Sequence, residues 1–545
     1  MKITILLFLG ILAFSSNISS QSYQWWTARY SSPASGSQDT SSAITIDLSG
    51  NVYVAGWANG FNTGTDIVLI KYNSITGDTA WVRQYSSPGV NEDKALAITS
   101  DNLGFIYITG YSFQPSRDII TLKFDAAGNQ IWVSTFNGSN NGGDYGFAIV
   151  VDGAGNVYVA GRSDEVNLQH FTTIKYNSAG TQQWANVYSG SLSQSFDQAQ
   201  DIALDNSGNV YVTGFSTVGQ NFHTSDYLTI KYNSSGNLQW EKRYNGTGND
   251  EDVAVRIVAL NNAVYVTGRT DSLDGNFNYY TVKYRDSNGD ILASASYCGI
   301  LVRQIDYAVC MTSDNTGNVY VTGTSRGSTN STDYATVKYD QDLNQVWAAR
   351  YEGTGADIPA KVVTSGSSVF VTGSSEGVNG KDFLTVKYNS SGIQAWEMRF
   401  NGPGSVNDFA SALAVDQFEN VYVTGSAGIS STENDIFTLR YSPIPIGIAP
   451  ISGNVPQSFE LYQNYPNPFN PTTNIRIDIP SGESRQTKLI VYDVLGKVVT
   501  TLVNENLKPG SYLVSWNGSG YSSGIFFYKI IAGDISKTNR MILVK

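Results

Sequence analysis

The stretch DNSGNVYVTG, residues 205–214, decides the fold because its second half recurs along most of the chain. Each copy is an alternating β-type segment that follows a turn signal and ends in glycine. The eight closing glycines lie 50 to 55 residues apart: Gly56, Gly110, Gly161, Gly214, Gly268, Gly323, Gly373 and Gly425. A regular period of this length predicts repeated supersecondary units.

Three further elements keep the same period. An aspartate opens an alternating segment ahead of each glycine: Asp39, Asp93, Asp144, Asp197, Asp252, Asp306, Asp357 and Asp408. A basic residue before an aromatic one ends another segment: Lys71, Lys123, Lys175, Lys231, Lys283, Lys338, Lys387 and Arg440. A Trp-x-x-x-Tyr/Phe segment begins at Trp26, Trp81, Trp132, Trp184, Trp240, Trp347 and Trp396, and Ala293 replaces the tryptophan in one repeat. Four short strands per repeat predict a propeller blade.

We therefore expect an all-β chain with an eight-bladed β-propeller over residues 21–441, with seven blades as the alternative. The aspartate strand is taken as innermost, followed outward by the glycine, lysine and tryptophan strands. The first segment, Trp26–Tyr30, is an isolated outer strand, whereas the last repeat, 408–441, lacks one. The N-terminal strand is thus predicted to complete the last blade, which removes exposed sheet edges.

These repeats resemble the bacterial β-propeller repeats called SBBP repeats. The resemblance rests on the D…A-x-A-x-D-x-x-G-N-V-Y-V-T-G core, the T-V-K-Y strand and the W-x-x-R-Y-N-G-x-G segment, and it covers about residues 25–441. The family name implies seven blades, so eight repeats depart from it. The resemblance implies a fold and an exported setting, and it brings no catalytic residues with it.

Other segments flank the repeats. Residues 1–20 combine a basic start, a short apolar run and small residues, which predicts a secretory signal peptide. Residues 442–456 are rich in proline and glycine and predict a linker. Residues 457–545 contain short alternating segments separated by turns, which predict a small Ig-like β-sandwich. We expect no transmembrane segment in the mature chain.

The C-terminal segment begins with the proline-rich stretch YPNPFNP, residues 465–471. It resembles the type A sorting domain of the type IX secretion system at Pro466, Asn467, Pro468, Phe469, Asn470, Pro471, Gly496, Gly510, Trp516, Gly524 and Lys545. The resemblance implies that residues 457–545 engage the type IX machinery of a Gram-negative bacterium. The chain would then cross the periplasm and the outer membrane, and be secreted or attached to the cell surface. A generic Ig-like domain is the alternative.

Composition argues against several classes of function. The chain has 34 Lys and Arg against 46 Asp and Glu, which gives a net charge of −12. Nucleic-acid-binding proteins usually carry an excess of basic residues, so this composition argues against that class. His170 and His223 are the only histidines, and no nucleophile elbow, zinc signature or phosphate loop is present. The D-x-x-G-N turns lack the acid-rich loop of an EF-hand, so hairpin turns are the stronger interpretation. We assign no catalytic residue, metal ligand or cofactor.

Repeated charges are interpreted as structural. The leading aspartates are expected to accept backbone N–H groups, and the basic residues to pair with acids between blades. Four positions after each leading aspartate the chain carries Ala43, Ala97, Ala148, Asp201, Arg256, Cys310, Lys361 and Ala412. Asp201 and Arg256 are expected to form a partly buried pair, with a channel-lining binding site as the alternative. Cys310 is expected to be free and buried rather than bonded to Cys298.

The candidate binding site lies after the repeat glycines. Short, similar turns are expected on one face of the ring and longer, varied loops on the other, where recognition usually occurs. The residue after the glycine is aromatic or arginine in five repeats, at Trp57, Tyr111, Arg162, Phe215 and Arg269, and it is Thr324, Ser374 or Ser426 in the others. These side chains suit a glycan or protein ligand. Packing against neighbouring loops is the alternative role, and a polysaccharide hydrolase or lyase is the alternative function.

Overall fold

The computed structural model describes residues 23–34, 36–60, 62–165, 168–190, 195–218, 224–248, 250–272, 276–299, 305–327, 331–404, 406–442, 448–452, 455–482, 484–518 and 521–544. The predicted signal peptide at 1–20 lies outside the described residues, as do Lys545 and part of the predicted linker. The described chain consists of β-strands, turns and one short 3-10 segment at Ser139–Asn141. No described helix has the length and apolar character needed to cross a membrane.

The repeats form the strands that the sequence predicts. In chain order these are β1 (Tyr23–Tyr30), β2 (Thr40–Ile46), β3 (Val52–Gly60), β4 (Gly64–Tyr72), β5 (Thr79–Tyr85), β6 (Asn91–Glu92), β7 (Lys94–Ser100), β8 (Ile106–Phe113), β9 (Arg117–Phe124), β10 (Gln130–Phe136), β11 (Asp144–Val151), β12 (Val157–Glu165), β13 (Leu168–Tyr176), β14 (Gln182–Tyr188), β15 (Asp197–Leu204), β16 (Val210–Thr217), β17 (Ser225–Tyr232), β18 (Leu238–Tyr244), β19 (Val253–Leu260), β20 (Ala263–Asp271), β21 (Phe277–Arg285), β22 (Ile291–Tyr297), β23 (Asp306–Ser313), β24 (Val319–Arg326), β25 (Thr332–Tyr339), β26 (Gln345–Tyr351), β27 (Asp357–Ser365), β28 (Ser368–Glu376), β29 (Lys381–Tyr388), β30 (Gln394–Phe400), β31 (Asp408–Val415), β32 (Val421–Ser430) and β33 (Glu433–Ser442).

Eight antiparallel sheets are built from these strands. From the inner to the outer strand they are sheet 1 (β2-β3-β4-β5), sheet 2 (β7-β8-β9-β10), sheet 3 (β11-β12-β13-β14), sheet 4 (β15-β16-β17-β18), sheet 5 (β19-β20-β21-β22), sheet 6 (β23-β24-β25-β26), sheet 7 (β27-β28-β29-β30) and sheet 8 (β31-β32-β33-β1). The two-residue β6 pairs in parallel with β4. Each inner strand contacts the inner strands of both neighbouring sheets, and contact between β31 and β2 closes the ring. The fold is therefore an all-β propeller.

The N-terminal strand closes the ring as predicted. Strand β1 pairs antiparallel with β33, with Trp26 opposite Arg440 and Tyr30 opposite Ile436. The outer edge of sheet 8 is thus covered by a strand from the opposite end of the propeller sequence.

A β-bulge interrupts every inner strand at the same place. The register shifts just before Ala43, Ala97, Ala148, Asp201, Arg256, Cys310, Lys361 and Ala412. Because a bulge redirects the side chains beside it, these eight residues occupy equivalent special positions around the ring axis.

Neighbouring sheets are joined by a repeated contact on the face that carries the short turns. In sheet 4, Trp240 Nε1 and Lys231 Nζ both donate to the carbonyl of Asp286 in sheet 5, at 2.9 and 2.8 Å. Turn glycines leave room for the indole: a Cβ on Gly180, whose φ is +82°, would lie 2.6 Å from the Trp132 ring. We call this arrangement the turn clamp.

The turn clamp corrects one expectation. The prediction that the basic residues pair with acids is wrong for Lys71, Lys123, Lys175, Lys231 and Arg440, which donate to turn carbonyls of the next sheet. Turn carbonyls have no strand partner, so they need a donor from elsewhere. Lys283 and Lys387 do form ion pairs, with Asp342 at 2.9 Å and Glu419 at 2.7 Å. Sheet 5 is also the sheet in which Ala293 replaces the tryptophan.

The C-terminal unit is a β-sandwich with its own core. Its strands are β34 (Ile448–Ser452), β35 (Glu460–Leu461), β36 (Thr472–Ile479), β37 (Arg485–Tyr492), β38 (Val498–Leu507), β39 (Gly510–Asn517), β40 (Gly524–Ala532) and β41 (Ile535–Leu543). They form the sheets β34-β39-β36-β35 and β38-β37-β40-β41, which enclose an apolar core that includes Ile477, Val491 and Tyr528. Strand β34 lies within the range 442–456 predicted as a linker, so this sheet begins ahead of the predicted domain start at 457.

The proline-rich stretch is bound to the last strand of the sandwich. Phe469 N donates to the carbonyl of Ile542, and Val544 N donates to the carbonyl of Phe469, both at 2.9 Å. The Phe469 ring is buried against Trp516, with the ring centroids 5.4 Å apart. The side chain of Asn467 accepts a hydrogen bond from Ile542 N at 2.9 Å. The motif and the end of the chain therefore form one continuous surface.

Candidate functional site

The face opposite the turn clamps carries the loops that lead into the inner strands, and we call it the loop face. Each leading aspartate is buried beneath it and accepts a backbone N–H at 2.5 to 2.8 Å from Ser32, Ser87, Gly138, Gly190, Gly246, Gly299, Gly353 or Gly402. This confirms their structural interpretation. Burial raises the pKa of Asp144 to about 6, although hydrogen bonds from Ser163 and Gly138 oppose the shift.

The five predicted binding residues lie on the second strands, near the loop face. Trp57, Tyr111, Arg162, Phe215 and Arg269 are opposite Thr40, Lys94, Tyr145, Gln198 and Val253, the residues that follow the leading aspartates. Tyr111 is 8% exposed, and the other four are half-buried. Each of the five predicted side chains is therefore at least partly buried near the loop face.

Charged side chains connect the first two of these residues. Glu92 accepts hydrogen bonds from Lys94 at 2.5 Å and from Arg117 at 2.8 Å. The Lys94 ammonium lies 5.1 Å from the centroid of the Trp57 ring, and the Arg117 guanidinium lies 5.7 Å from that of Tyr111. Burial opposes ionisation of Glu92, but the two cations prevail and lower its pKa. Sheets 1 and 2 thus share a network of cations and aromatic rings.

The network continues into sheets 3 and 4. Tyr111 meets Tyr145 edge to face with ring centroids 5.1 Å apart, and Arg117 donates to the Tyr145 hydroxyl at 3.3 Å. The Arg162 guanidinium lies 4.6 Å from the Tyr145 ring, is paired with Asp164 at 3.0 Å, and donates to Gln198 at 3.0 Å. We call this set, from Trp57 to Gln198, the loop-face network.

The other two predicted residues lie outside the chain of rings and cations. Arg269 pairs with Glu251 at 2.6 Å and lies 5.1 Å from the ring of Tyr307, which packs on Phe277 at 5.4 Å. Phe215 is half-buried and lies directly opposite Gln198, at the end of the loop-face network. The structure therefore brings Trp57, Tyr111 and Arg162 together, places Phe215 beside the last member of the network, and puts Arg269 in a different cluster.

Sequence reasoning missed Glu92, Lys94, Arg117 and Tyr145, although two of them carried a signal. Lys94 and Tyr145 each follow a leading aspartate, so they lie directly opposite the predicted residue in the same sheet. Glu92 and Arg117 come from two different loops, and only the folded ring places their side chains together.

Carboxylates with raised pKa values are buried beneath the loops. Burial is the main cause of a pKa of about 6 for both Asp144 and Asp226, which are 0% and 6% exposed. Acids of the opposite face are held in turns: Asp205 accepts hydrogen bonds from Ser207, Asn209 and Tyr211 at 2.7 to 2.9 Å. Gly208, with φ of +76°, completes that hairpin turn. Across the described ranges, no group of three or more metal-ligating side chains is present.

A cavity of about 280 Å³ lies on the ring axis, lined by residues of the eight inner strands. Asp201, Arg256 and Lys361 all face it. The expected ion pair between Asp201 and Arg256 is absent from these described strands at salt-bridge distance, and Asp201 Oδ2 instead accepts the backbone N–H of Ile257 at 3.0 Å. Arg256 donates to the carbonyl of Val255 at 2.7 Å and is hydrogen-bonded to the sulfur of Cys310. Both residues follow a β-bulge, which redirects the side chains beside it, and each has a partner other than the expected one.

Both cysteines are free thiols. Cys298 is exposed after the outer strand of sheet 5, and Cys310 is buried on the inner strand of sheet 6. This confirms the prediction of a free, buried Cys310.

Family models match two segments of the chain. Residues 26–62 match the beta-propeller repeat SBBP, and residues 463–545 match the secretion system C-terminal sorting domain. An uncharacterized WD repeat-containing protein, L264 of Acanthamoeba polyphaga mimivirus, is 24% identical over 395 residues, which cover 52% of this chain and 27% of that protein. This chain therefore matches little more than a quarter of that relative's length.

Two solved structures align with this chain at low sequence identity. Quinohemoprotein alcohol dehydrogenase from Comamonas testosteroni aligns with a TM-score of 0.49 at 12% identity, covering 82% of this chain and 79% of the other. PorZ, a surface component of the type-IX secretion system of Porphyromonas gingivalis, aligns with a TM-score of 0.35 at 12% identity, covering 92% and 74%. The two family matches show that this chain contains an SBBP-type propeller repeat at residues 26–62 and a type IX sorting domain at residues 463–545, and the sorting domain indicates export to the cell surface or secretion.

Proposed function

We propose that the propeller is an exported binding module whose loop face holds a glycan that carries acidic groups. The observation that supports this is the loop-face network, in which aromatic rings alternate with cations across sheets 1 to 3 and Arg162 donates to Gln198 of sheet 4. Sheets 6 to 8 carry Thr324, Ser374 and Ser426 at the position of Trp57. An aromatic or basic side chain at that position is therefore unnecessary for ring closure.

The charges of the network suit an acidic ligand. Lys94, Arg117 and Arg162 supply three positive charges, and Glu92 and Asp164 supply two negative ones. This local excess of positive charge lies on a chain whose net charge is −12. Arginine binds carboxylate or sulfate groups in a planar, bidentate manner, and aromatic rings contact sugar faces.

The raised-pKa carboxyls favour binding over catalysis. A glycosidase needs two carboxyl groups that converge on one bond of the substrate. Asp144 lies beneath the loops, where its carboxylate accepts the backbone N–H of Gly138 at 2.7 Å. Its raised pKa thus follows from burial at a loop anchor.

The proposal is tested with the full chain on an array of neutral and acidic glycans, followed by titration of any ligand found. Trp57→Ala and Arg162→Ala should each weaken binding by about tenfold, the effect of losing roughly 1.4 kcal/mol. Ser374→Ala is the matched control, because Ser374 has the equivalent position in sheet 7. If Trp57→Ala lowers the melting temperature but leaves affinity intact, the network serves packing and the site must be abandoned.

We further propose that residues 457–545 direct the propeller through the type IX machinery. The match over 463–545 and the surface formed by the proline-rich stretch with the last strand support this. Deleting 457–545 in a type IX-competent host should leave the propeller in the periplasm. Normal amounts at the surface or in the medium would contradict the proposal.

A further inference from the structure

The central cavity is chemically divided into two halves. At the position after the bulge, sheets 8, 1, 2 and 3 carry Ala412, Ala43, Ala97 and Ala148, whereas sheets 4, 5, 6 and 7 carry Asp201, Arg256, Cys310 and Lys361. Alanine satisfies the packing of four neighbouring inner strands. The charged and thiol side chains on the other half of the ring are therefore not required by the fold.

The charges of this half do not balance. Arg256 and Lys361 are positive, and Asp201 is the one acid among the residues that line the described cavity. Asp201 already accepts the N–H of Ile257, and neither cation lies within salt-bridge distance of a described carboxylate. Lys361 donates no hydrogen bond to any residue that the structure describes. Two positive charges that no described acid neutralises attract an anion into the cavity.

Neighbouring ionisable groups respond to this positive excess. Burial would raise the pKa of the Cys310 thiol, yet Lys361 and Arg256 lower it. Burial also raises the pKa of Asp201, despite the opposing effect of Arg256. This shift reduces the negative charge of the one acid among the described residues that line the cavity.

We infer that the central cavity binds one small anion, a carboxylate or an inorganic oxoanion, between Arg256 and Lys361. Guanidinium and ammonium groups both donate charge-assisted hydrogen bonds to such oxygens. A cavity of about 280 Å³ accommodates the anion together with waters. The site is separate from the loop-face network and does not depend on the glycan proposal.

The experiment is titration calorimetry of the full chain with inorganic phosphate, in buffer whose ionic strength is kept constant with chloride. Wild type should show saturable binding of one phosphate per chain. Lys361→Gln should weaken it at least tenfold, and Asp201→Asn should strengthen it because it removes the competing carboxylate. Lys497→Gln is the control, since Lys497 is exposed in a turn of the sandwich, and it should bind as wild type does.

Two results would overturn the inference: no saturable binding by wild type, or equal affinity in wild type and Lys361→Gln. If Lys361→Gln does not fold, the phosphate affinity of Asp201→Asn tests the inference instead. Tighter binding supports the site, and unchanged binding refutes it.

Discussion

The two faces of the propeller use the same repeat in different ways. On the turn face, the acid of the turn and the turn clamp recur from sheet to sheet: Asp205 and Asp314 hold their turns with the same Asn and Tyr partners. On the loop face, the buried aspartates recur, but the side chains above them change from the aromatic and cationic set of sheets 1 to 4 to the serines of sheets 7 and 8.

This difference separates contacts that build the ring from those available for recognition. A contact that appears in every sheet is explained by the fold alone. A side chain that differs between sheets while the backbone stays the same needs another explanation, and the loop-face network and the half-polar cavity are two places where this occurs. Three experiments break or sharpen the comparison.

The largest effect is expected from removing the strand that completes the turn clamp between the last sheet and the first. Trp26 Nε1 and Arg440 both donate to the carbonyl of Ser74, at 3.0 and 2.8 Å. Deleting residues 21–31 leaves the edge of β33 unpaired and removes this clamp, so we expect a lower melting temperature and association between chains. Light scattering and thermal unfolding measure both. A monomer with unchanged stability would show that β1 does not close the ring.

A smaller loss is expected from a single clamp. Trp240 is 7% exposed and packs between Tyr211 and Tyr284, so Trp240→Ala should reduce the free energy of unfolding by about 3–5 kcal/mol. The exposed neighbour Gln239→Ala is the control and should change stability little. Denaturant titration measures the difference. Equal stability of the two variants would mean that the clamp is dispensable, as sheet 5 with Ala293 already shows for one position.

The smallest effect is a pH dependence of opposite sign on the two faces. Asp144 has its pKa raised by burial from an ordinary 3.8 to about 6, so the folded state keeps a proton that the unfolded chain has released. Its contribution to stability therefore falls as pH rises from 3.8 to 6, by on the order of 1–3 kcal/mol.

Asp314 on the turn face behaves in the opposite way. Burial opposes its ionisation, but hydrogen bonds from Asn318, Thr316 and Tyr320 lower its pKa to about 2, so its contribution is present above pH 3.8 and is lost as pH falls towards 2. Asp144→Asn should flatten the first slope and Asp314→Asn the second, in unfolding curves measured from pH 2 to 7. Unchanged slopes in both variants would contradict these assignments.

Much of the fold follows from the sequence because the same pattern of strands and turns occurs eight times. The alternating segments predicted every main strand of the ring, and the unpaired outer strand at Trp26 predicted the pairing of β1 with β33. The structural role of the leading aspartates was predictable too, since a group repeated in every sheet serves the common backbone.

Only the tertiary structure decided which partners these side chains meet. The lysines of the third strands reach carbonyl groups of the next sheet, and every residue has a carbonyl, so no sequence pattern marks the accepting one. Glu92 and Arg117 join Trp57 and Tyr111 because loops about 25 residues apart converge on one face. Asp201 and Arg256 are neighbours in the ring, yet the bulges direct them to backbone and sulfur partners, and this local geometry leaves the positive charge of the cavity unbalanced.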